Sequence, residues 1–516
     1  MLKTQVLVVG GGITGLGLAR DLALRGVQCM VVEKGHLSAG ASGSNHGLLH
    51  SGARYVSNDP ATAAECRAES YLLKKLAPDC CEDTGGLFVA VEGDSENYIA
   101  DFPGYCERSG ISALPVDCRE ARELEPELAD NIIAAYRVED ATVDPFRLLF
   151  DTMADARAHG AVVSTWTRVE GMERRGGRVC SVRVCHVRTG EEYEIEADQV
   201  VNAAGAWSGI VAGIAGLDLK AVWSKGSVLI TQQRIADRVI NRLRPPSDGD
   251  IVVPGGTVSL LGTSSVRVDD LENVRTDHAE VDFLVQKASE VLPVVCNSRL
   301  IRAFAGVRPL ISRGNTGDDR SVSRASEVID HDRDGLSNFI TVVGGKLTTF
   351  RLTAEMAADL LCARLGVSAA CPTSNTPLPS APVNEWVVAG VAPGLWMRGN
   401  IPGDALLCEC EMVPVSGFAR IVEQIRAEGE TVDLDSIRLR SRMGKGSCQG
   451  AFCSLRITEY LYEQGIYEKR QGLDNLRKFL ESRWKGLRPV LWGRQMVQEQ
   501  LQEAVHCGIF GLETLE

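Results

Sequence analysis

Two groups of residues in the 516-residue sequence have types and spacings that could do chemistry, one near each end of the chain. The first is the glycine motif Gly10-x-Gly12-x-x-Gly15, which directly follows an apolar run at residues 6–9. In a strand–turn–helix setting the first glycine permits a tight turn and the second lets the backbone approach a pyrophosphate. The third allows the helix to pack closely on the strand. The motif therefore predicts a dinucleotide site at a helix N-terminus.

The elements that must position this motif are a strand, a tight turn and a helix. Residues 6–9 form a wholly apolar run of the kind that is buried on both faces of a parallel sheet. Apolar residues at helical spacing follow and end at Gly26, and Cys29–Val32 is predicted to be the second strand. The pattern recurs later, where the predicted strand Phe339–Val343 precedes a glycine pair and a helix that runs to about Leu365.

An acidic residue completes the dinucleotide fingerprint. Glu33 lies 23 residues after Gly10, at the end of the second predicted strand, where a carboxylate would bind a ribose hydroxyl. The fingerprint alone does not distinguish FAD from NAD. The segment 42–55 is small, polar and carries two histidines, which suits a loop that wraps a flat cofactor, and it favours FAD. The complete set of predicted cofactor-binding residues is Gly10, Gly12, Thr14, Gly15, Glu33, Lys34, Ser42, Asn45, His46, Gly205, Gly344 and Gly345.

Five segments of the chain resemble the FAD-dependent glycerol-3-phosphate dehydrogenases. They are residues 42–55, 200–207, 262–265, 305–310 and 344–351. The resemblance extends over essentially the whole chain and is greatest for the large subunits of the anaerobic enzymes. Where that family usually has two threonines after Gly262, this chain has Thr263 and Ser264, and the hydroxyl is kept.

The resemblance implies an α/β fold. Its main part is a Rossmann-like FAD-binding domain of the D-amino-acid-oxidase type with an interleaved α+β substrate cap, and a small C-terminal iron–sulfur domain follows. In this arrangement residues 1–370 form the oxidoreductase unit. The FAD parts are about 1–95, 143–215 and 330–370, and the cap parts are about 96–142 and 216–329. A proline-rich linker at 371–404, an iron–sulfur domain at 405–465 and a helical tail at 466–516 complete the predicted order.

The implied substrate, sn-glycerol 3-phosphate, carries a phosphate dianion that needs fixed positive charge. Arg54, Arg308 and Lys346 lie within the resembling segments and are the predicted phosphate ligands, together with Thr263 and Ser264. For each cation the alternative is a structural ion pair, and for Arg54 it is also a contact to the flavin phosphate.

The implied reaction removes a hydride from C2 of the substrate and delivers it to flavin N5, so a base must take the hydroxyl proton. Histidine is the usual base near neutral pH, and His50 lies in the segment expected beside the flavin. The alternative is that His50 binds the flavin or simply packs. Arg308 is the second predicted catalytic residue, since its charge would stabilise a developing alkoxide.

The second chemical group is a set of four cysteines. Cys408, Cys410, Cys448 and Cys453 form a CxC…Cx4C pattern, and three glycines at 444, 446 and 450 leave backbone amides free to approach sulfide. Structural zinc sites favour CxxC-type pairs, whereas this spacing resembles the bacterioferritin-associated-ferredoxin-like module, whose thiolates hold a 2Fe-2S cluster. Zinc and metal-free thiols remain the alternatives.

Composition limits the partners. The chain has 55 basic and 68 acidic residues, and its net charge of −13 is not that of a general nucleic-acid binder. Strand-forming residues begin almost at the N-terminus, which leaves no room for a signal peptide, and a cytoplasmic location is expected. The 16 cysteines are then not expected to form a disulfide framework.

A cluster attached to a flavin dehydrogenase implies one-electron transfer to further proteins. The resemblance implies a second catalytic subunit, together with a membrane-associated iron–sulfur subunit. These partners would hold the protein at the cytoplasmic face of the cell membrane and pass electrons to menaquinone. Two other hypotheses are an FAD dehydrogenase of another hydroxy acid or amino acid, and a non-catalytic electron-transfer subunit.

Overall fold

The fold described here is a computed structural model, and it covers residues 1–311, 326–379, 398–399 and 401–514. Two prolines of the predicted linker, Pro382 and Pro393, lie outside these residues. The helices in the described part of the chain are α1 (Ile13–Leu24), α2 (Pro60–Leu76), α3 (Glu96–Arg108), α4 (Cys118–Leu124), α5 (Pro145–Ala158), α6 (Ser208–Ile214), α7 (His278–Ser289), α8 (Phe350–Leu365), α9 (Val415–Ala427), α10 (Leu434–Arg440), α11 (Cys453–Glu463), α12 (Gln471–Leu487) and α13 (Arg494–Phe510). Among the helices so described, none is long and apolar enough to cross a membrane.

The strands of the described ranges alternate with these helices in the first half of the chain. They are β1 (Leu2–Val9), β2 (Cys29–Val32), β3 (Leu48–Leu49), β4 (Cys81–Glu82), β5 (Gly86–Val91), β6 (Leu114–Val116), β7 (Ile132–Val138), β8 (Ala141–Val143), β9 (Val162–Ser164), β10 (Thr167–Arg175), β11 (Arg178–His186), β12 (Glu192–Asn202), β13 (Ala221–Thr231), β14 (Val239–Arg242), β15 (Ile251–Gly255), β16 (Val258–Gly262), β17 (Val266–Arg267), β18 (Leu300–Ile311), β19 (Glu327–Asp330), β20 (Phe339–Val343), β21 (Leu406–Cys408) and β22 (Val413–Pro414).

The first sheet is a doubly covered, largely parallel sheet assembled from distant parts of the chain. Strands β20, β12, β1, β2 and β9 are parallel neighbours, and β10, β11 and β19 extend the sheet with antiparallel pairs. Its central strands are buried where they lie side by side, at residues 6–9 of β1, 29–32 of β2 and 199–202 of β12, because both faces are covered. Helix α1 packs against α5 and α8 on one face, and its buried stripe includes Leu16, Ala19 and Leu22. This arrangement confirms the predicted Rossmann-like domain.

Helix starts in this domain follow from local sequence. The Asp59 side chain accepts a hydrogen bond from the Thr62 amide at the start of α2, where Pro60 occupies the first turn. Asp144 caps α5 in the same way, and Pro145 begins that helix. Aspartate followed by proline predicts a helix start because the carboxylate binds free amides and proline needs none. Both helices begin where this pattern predicts a start.

The second sheet forms the cap over the first. Its strand order is β17-β13-β16-β15-β14-β5-β7-β6, and β18 pairs with β13 along almost its whole length. Strand β5 lies inside the segment 1–95 that the sequence places in the FAD part, but it pairs with the cap strands β7 and β14. Helices α4 and α7 and the end of α12 cover the apolar face of this sheet.

The C-terminal part, residues 401–514, has its own apolar core around Phe418, Ile425, Ile437 and Leu476. Charged contacts join it to the flavin domain. Arg442 lies 3.6 Å from Asp144, and Arg188 lies 3.2 Å from Asp433. Helix α12 also packs on β18 of the cap. The C-terminal part therefore rests on both of the other units.

Candidate flavin and substrate site

A cavity of about 1160 Å³ lies where the parallel strands of the first sheet end against the cap. Its walls include the residues that follow β1, β2, β12 and β20 and the cap residues of β18. Ligands of open α/β sheets bind beyond the carboxyl ends of the strands. The volume exceeds the range of roughly 300–1000 Å³ that is usual for one drug-sized ligand, so it has room for a dinucleotide and a small substrate.

The glycine fingerprint forms one end of this cavity. Gly10 adopts a φ of +117°, and a Cβ at this position would lie 2.5 Å from the Ala203 carbonyl oxygen. A Cβ at Gly15 would lie 2.1 Å from the Gly10 carbonyl oxygen, so Gly15 serves the turn and does not line the cavity. Gly12 is the N-cap of α1 and presents bare backbone. The close approach of α1 to the strand end is what a pyrophosphate at a helix N-terminus requires.

The predicted ribose ligand Glu33 lines the same cavity. Its two carboxylate oxygens accept hydrogen bonds from the Gly11 amide at 2.8 Å and the Gly35 amide at 2.9 Å. Burial raises the pKa of Glu33, and these amides oppose that rise. Carboxylate oxygens accept more than one bond each, so a ribose hydroxyl can still be held. Lys34 lies 4.0 Å from the centre of the Trp207 ring and borders the cavity.

The loop after β2 wraps the cavity and is held by its own side chains. The Ser42 hydroxyl accepts a hydrogen bond from the Ile13 amide at the start of α1, at 3.0 Å. Asn45 donates to the Ser42 carbonyl and accepts from Gly47, while His46 Nδ1 accepts from the Leu48 amide. These three predicted cofactor ligands therefore also fix the loop. Gly205, Gly344 and Gly345 lie on the opposite wall with positive φ angles, and Thr14 lies beside Gly12.

Arg308 projects from β18 into the cavity and is held from behind. Its Nη2 donates to Thr263 Oγ1 at 2.7 Å and to the Ser264 carbonyl at 3.0 Å. Gly226 on the paired strand makes room, since a Cβ there would lie 2.3 Å from Arg308 Nη2. A guanidinium fixed in this way is preorganised for an anion.

The other two predicted cations differ in their surroundings. Lys346 lines the cavity with its Nζ 4.4 Å from the centre of the Tyr55 ring. Arg54 also lines the cavity, but its Nη2 donates to the Ser247 carbonyl at 2.7 Å and lies 3.3 Å from the buried carboxylate of Asp250. The charge of Arg54 is therefore partly compensated by the protein.

His50 is buried beside the same group of side chains. Its Nε2 lies 3.5 Å from the Tyr55 hydroxyl, and its backbone amide donates to Thr348 Oγ1. His50, Tyr55 and Lys346 thus form one cluster at the cavity wall, and Arg308 faces the same space. The cavity wall therefore offers an imidazole as a proton acceptor and two cations that can bind an anionic alcohol.

The two hydroxyl residues predicted to bind the substrate, Thr263 and Ser264, lie in different surroundings. Thr263 lines the cavity, whereas Ser264 does not, because its hydroxyl donates to buried Glu280 at 2.6 Å and accepts from the Ser227 amide. Sequence reasoning missed Tyr55 and Trp207, although both lie in segments that carry the resemblance. It also gave no reason for Gly306, where a Cβ would lie 2.4 Å from the Ser44 carbonyl oxygen, so this glycine lets the cap approach the flavin loop.

The four C-terminal cysteines come together from three elements. Cys408 Sγ lies 3.8 Å from Cys410 Sγ, and Cys410 Sγ lies 3.6 Å from Cys448 Sγ. The Cys453 thiol interacts with those of Cys408 and Cys448. Within the described part of the chain, no group of three or more His, Cys, Asp or Glu side chains has the geometry of a metal site. All 16 cysteines are free thiols.

Glycine backbone surrounds this thiol cluster. Gly446 borders it closely, since a Cβ there would lie 2.8 Å from Cys410 Sγ. Gly444 and Gly450 adopt positive φ angles on the other side of the loop. Four thiols next to bare backbone are the donor set that an iron–sulfur cluster uses. The residues therefore fit such a cluster.

Comparison with known proteins decides the family. Residues 5–360 match the family described as FAD dependent oxidoreductase. The chain is 40% identical to the A subunit of the anaerobic glycerol-3-phosphate dehydrogenase of Escherichia coli K12, over 99% of this chain and 97% of that protein. The chain belongs to the FAD-dependent oxidoreductases and, within them, to the A subunits of the anaerobic glycerol-3-phosphate dehydrogenases.

Two further comparisons agree with this family. The chain is 39% identical to the A1 subunit of the anaerobic glycerol-3-phosphate dehydrogenase of Haloferax volcanii, over 98% of this chain and 90% of that protein. Its fold is similar to that of the glycerol-3-phosphate dehydrogenase from Bacillus halodurans complexed with FAD, with a TM-score of 0.64 and 20% identity over 95% of this chain and 96% of the other. The predicted D-amino-acid-oxidase type of FAD-binding fold and the cofactor FAD are thereby confirmed.

FAD binding should depend on the turn at Gly10. We expect Gly10→Ala to purify with little or no FAD, because the new Cβ would overlap the Ala203 carbonyl and push the turn away from the pyrophosphate. The flavin-to-protein absorbance ratio measures this. The matched control is Gly26→Ala, which also has a positive φ but no atom within 4 Å of the new Cβ. Equal FAD content in both variants would contradict the role of Gly10.

Proposed function

We propose that the protein oxidises sn-glycerol 3-phosphate to dihydroxyacetone phosphate and passes the electrons through a 2Fe-2S cluster and partner subunits to a quinone. The observation that carries the proposal is the convergence of Arg308, Lys346 and His50 on the cavity that the dinucleotide fingerprint borders. A phosphate dianion with an adjacent secondary alcohol matches two fixed cations beside an imidazole. The names of the relatives support the same substrate.

The residues of the chain have separate tasks in this reaction. When bound, FAD supplies the two-electron acceptor for the hydride. Arg308 and Lys346 bind the substrate anion, and Arg308 also faces the developing charge on the C2 oxygen. His50 takes the hydroxyl proton, with the Tyr55 hydroxyl 3.5 Å from its Nε2. The paired cap strands β13 and β18 hold Arg308 over the cavity.

The proposal is tested by mixing the oxidised holoenzyme with sn-glycerol 3-phosphate under anaerobic conditions. We expect the flavin absorbance near 450 nm to bleach fully, as a two-electron reduction requires. Glycine, proline and 2-hydroxyglutarate serve as controls, since they lack the phosphate that Arg308 and Lys346 would bind. Bleaching by one of these instead would favour a dehydrogenase of another substrate. No bleaching by any of them would favour a non-catalytic electron-transfer subunit.

The role of His50 as the base predicts a change in pH dependence. We expect His50→Gln to lower kcat, because glutamine cannot accept the proton. The fall of kcat at acidic pH, which reflects protonation of the base, should also disappear. Flavin content and the KM for sn-glycerol 3-phosphate should change little. The control is His159→Gln, which changes an exposed histidine at the end of α5 that does not line the cavity. An unchanged profile in His50→Gln would exclude His50 as the base.

The proposed 2Fe-2S cluster would be held by Cys408, Cys410, Cys448 and Cys453. When bound, such a cluster would accept one electron at a time. It would therefore allow the two electrons of the reduced flavin to pass to a protein partner one after the other. The contacts among the four thiols and the bare backbone at Gly446 support this assignment over scattered core cysteines.

We also propose the partners that the sequence implies, namely a second catalytic subunit, together with a membrane-associated iron–sulfur subunit that reaches menaquinone. They would hold the protein at the cytoplasmic face of the cell membrane. The names of the relatives, which are A subunits, support the existence of other subunits.

Helix α13 independently supports the existence of a protein partner. Four apolar side chains spaced by four residues are largely exposed on one face of this helix: Val497, Leu501, Val505 and Ile509. A contiguous apolar stripe of this kind is typical of a protein interface.

A further inference from the structure

A second cavity, of about 420 Å³, lies between the flavin domain, the cap and the C-terminal part. The flavin domain contributes the loop 36–39 and the start of α5, and the cap contributes strands β15, β16 and β18. The C-terminal wall consists of residues from α10 and from the loop before α11. The volume falls within the range of roughly 300–1000 Å³ that small-molecule sites occupy.

Two cations on the wall of this cavity lack a carboxylate partner. Arg302 on β18 has a single hydrogen bond, from Nη1 to Gln449 Oε1 at 3.5 Å, and no ion pair within the part of the chain that the structure describes. The Lys445 ammonium lies 3.9 Å from the centre of the Phe146 ring. In the same described ranges, no carboxylate lies within ion-pair distance of Lys445. Gln449 links the two, since its Nε2 donates to the Lys445 carbonyl.

The neighbouring charges are already paired. Arg438 lies 3.2 Å from Asp435, and Arg442 binds Glu411 and lies 3.6 Å from Asp144. Asp144 is the carboxylate that acts most on Lys445, but it also caps α5 through two backbone amides. Asp79 and Glu82, which also line the cavity, pair with arginines outside it. Among the described residues, Arg302 and Lys445 are therefore the cations of this wall that make no ion pair, and Asp435, Asp144 and Glu411 act on them only at longer range.

An interior charge without a counter-ion is unfavourable unless a ligand or water compensates it. Burial lowers the pKa of Arg302 to about 10 and that of Lys445 to about 8, so both side chains are still largely protonated at pH 7. Two positive charges match a phosphate monoester, which carries close to two negative charges at neutral pH. A single carboxylate would neutralise only one of them.

We propose that this second cavity binds a small phosphate-bearing anion, with Arg302 and Lys445 as its ligands. The apolar side chains of Ile230, Leu260 and Phe304 lie on the same cavity and leave space for a short carbon chain. The rim is shared with the flavin cavity, since residues 38–39 and 44–46 line both. The two sources of such an anion are therefore the substrate ester and free inorganic phosphate. In either case the ligand joins the cap to the C-terminal part.

The test counts phosphate sites by equilibrium dialysis of the holoenzyme with radiolabelled inorganic phosphate. We expect two sites per chain in the wild type and one in the double variant Arg302→Gln/Lys445→Gln, which keeps the substrate site. The matched control, Lys485→Gln/Arg488→Gln, removes two exposed cations near the same module and should keep both sites. An equal number of sites in the wild type and in Arg302→Gln/Lys445→Gln would overturn the proposal, whereas failure of the proposed substrate site alone would lower both counts by one.

A second measurement does not depend on any variant folding. Phosphate should protect Lys445 from an amine-reactive reagent at least tenfold in the wild-type holoenzyme, while exposed Lys485 reacts equally with and without phosphate. Mass spectrometry of the labelled peptides measures both, and equal labelling of Lys445 under the two conditions would refute the site. Competition with sn-glycerol 3-phosphate, using dithionite-reduced enzyme that cannot turn over, identifies the source. Displacement of labelled phosphate from both sites assigns the substrate ester, and displacement from one assigns inorganic phosphate.

Discussion

Arg308→Ala is expected to lower kcat/KM for sn-glycerol 3-phosphate by roughly 100- to 1000-fold, the usual effect of removing one preorganised donor from a charged transition state. The Arg308 guanidinium donates to Thr263 Oγ1 at 2.7 Å and to the Ser264 carbonyl at 3.0 Å. These bonds fix its position before the substrate binds. Both KM and kcat should worsen, because the same group binds the anion and faces the C2 oxygen. Steady-state kinetics under anaerobic conditions measure the two separately.

The flavin content of this variant should equal that of the wild type, since Arg308 lies on the cap and not in the glycine fingerprint. Arg308→Lys keeps the charge but loses the two-pronged geometry, and it should recover only part of the activity. Arg267→Ala on neighbouring β17 removes an exposed arginine from the same sheet and should be nearly neutral. Normal turnover in Arg308→Ala would remove this residue from the site.

Cys448→Ser has the second large expected effect. We expect anaerobically purified protein with this change to lose most of its iron and acid-labile sulfide, because one of four thiolate ligands is missing. Quinone reduction by the complete complex should fall to near background. The bleaching of the flavin by sn-glycerol 3-phosphate should remain, since the four cysteines lie outside the flavin cavity.

The matched controls are Cys180→Ser and Cys296→Ser, because both residues are exposed and neither lies near the thiol cluster in the sequence. Each should keep its iron and sulfide. Stoichiometric zinc in the wild type would identify a structural zinc site instead. Wild-type protein that binds neither metal after full reconstitution would show that the four thiols are metal-free.

The flavin site was predictable from sequence because its chemistry depends on short-range patterns. Gly10, Gly12 and Glu33 sit in one strand–turn–helix–strand unit, and their spacing is set by the dimensions of that unit. The strand Phe339–Val343 and the end of α8 at Leu365 were also predicted as observed, because a mostly apolar run followed by a glycine pair has few alternatives. These signals need no knowledge of the rest of the chain.

The remaining features depend on contacts between distant residues, and sequence patterns do not report those. Ser264 binds Glu280 and does not line the cavity, although its neighbour Thr263 binds Arg308. Arg54 is partly compensated by Asp250, a residue 196 positions away. Strand β5 joins the cap because its partners β7 and β14 lie there. The second cavity could not be predicted from the sequence for the same reason, since the flavin domain, the cap and the C-terminal part all supply its walls.

The interleaved first sheet also sets the order of events on the ribosome. Strand β1 pairs with β12, which lies some 190 residues later, and the sheet is finished only when β20 ends at Val343. At roughly 5–20 residues per second, β1 waits about 10–40 s for its neighbour β12, and the sheet waits about 20–70 s for β20. The part that carries the four cysteines is translated after every strand of this sheet, and a chain cut before β20 would lack one wall of the flavin cavity.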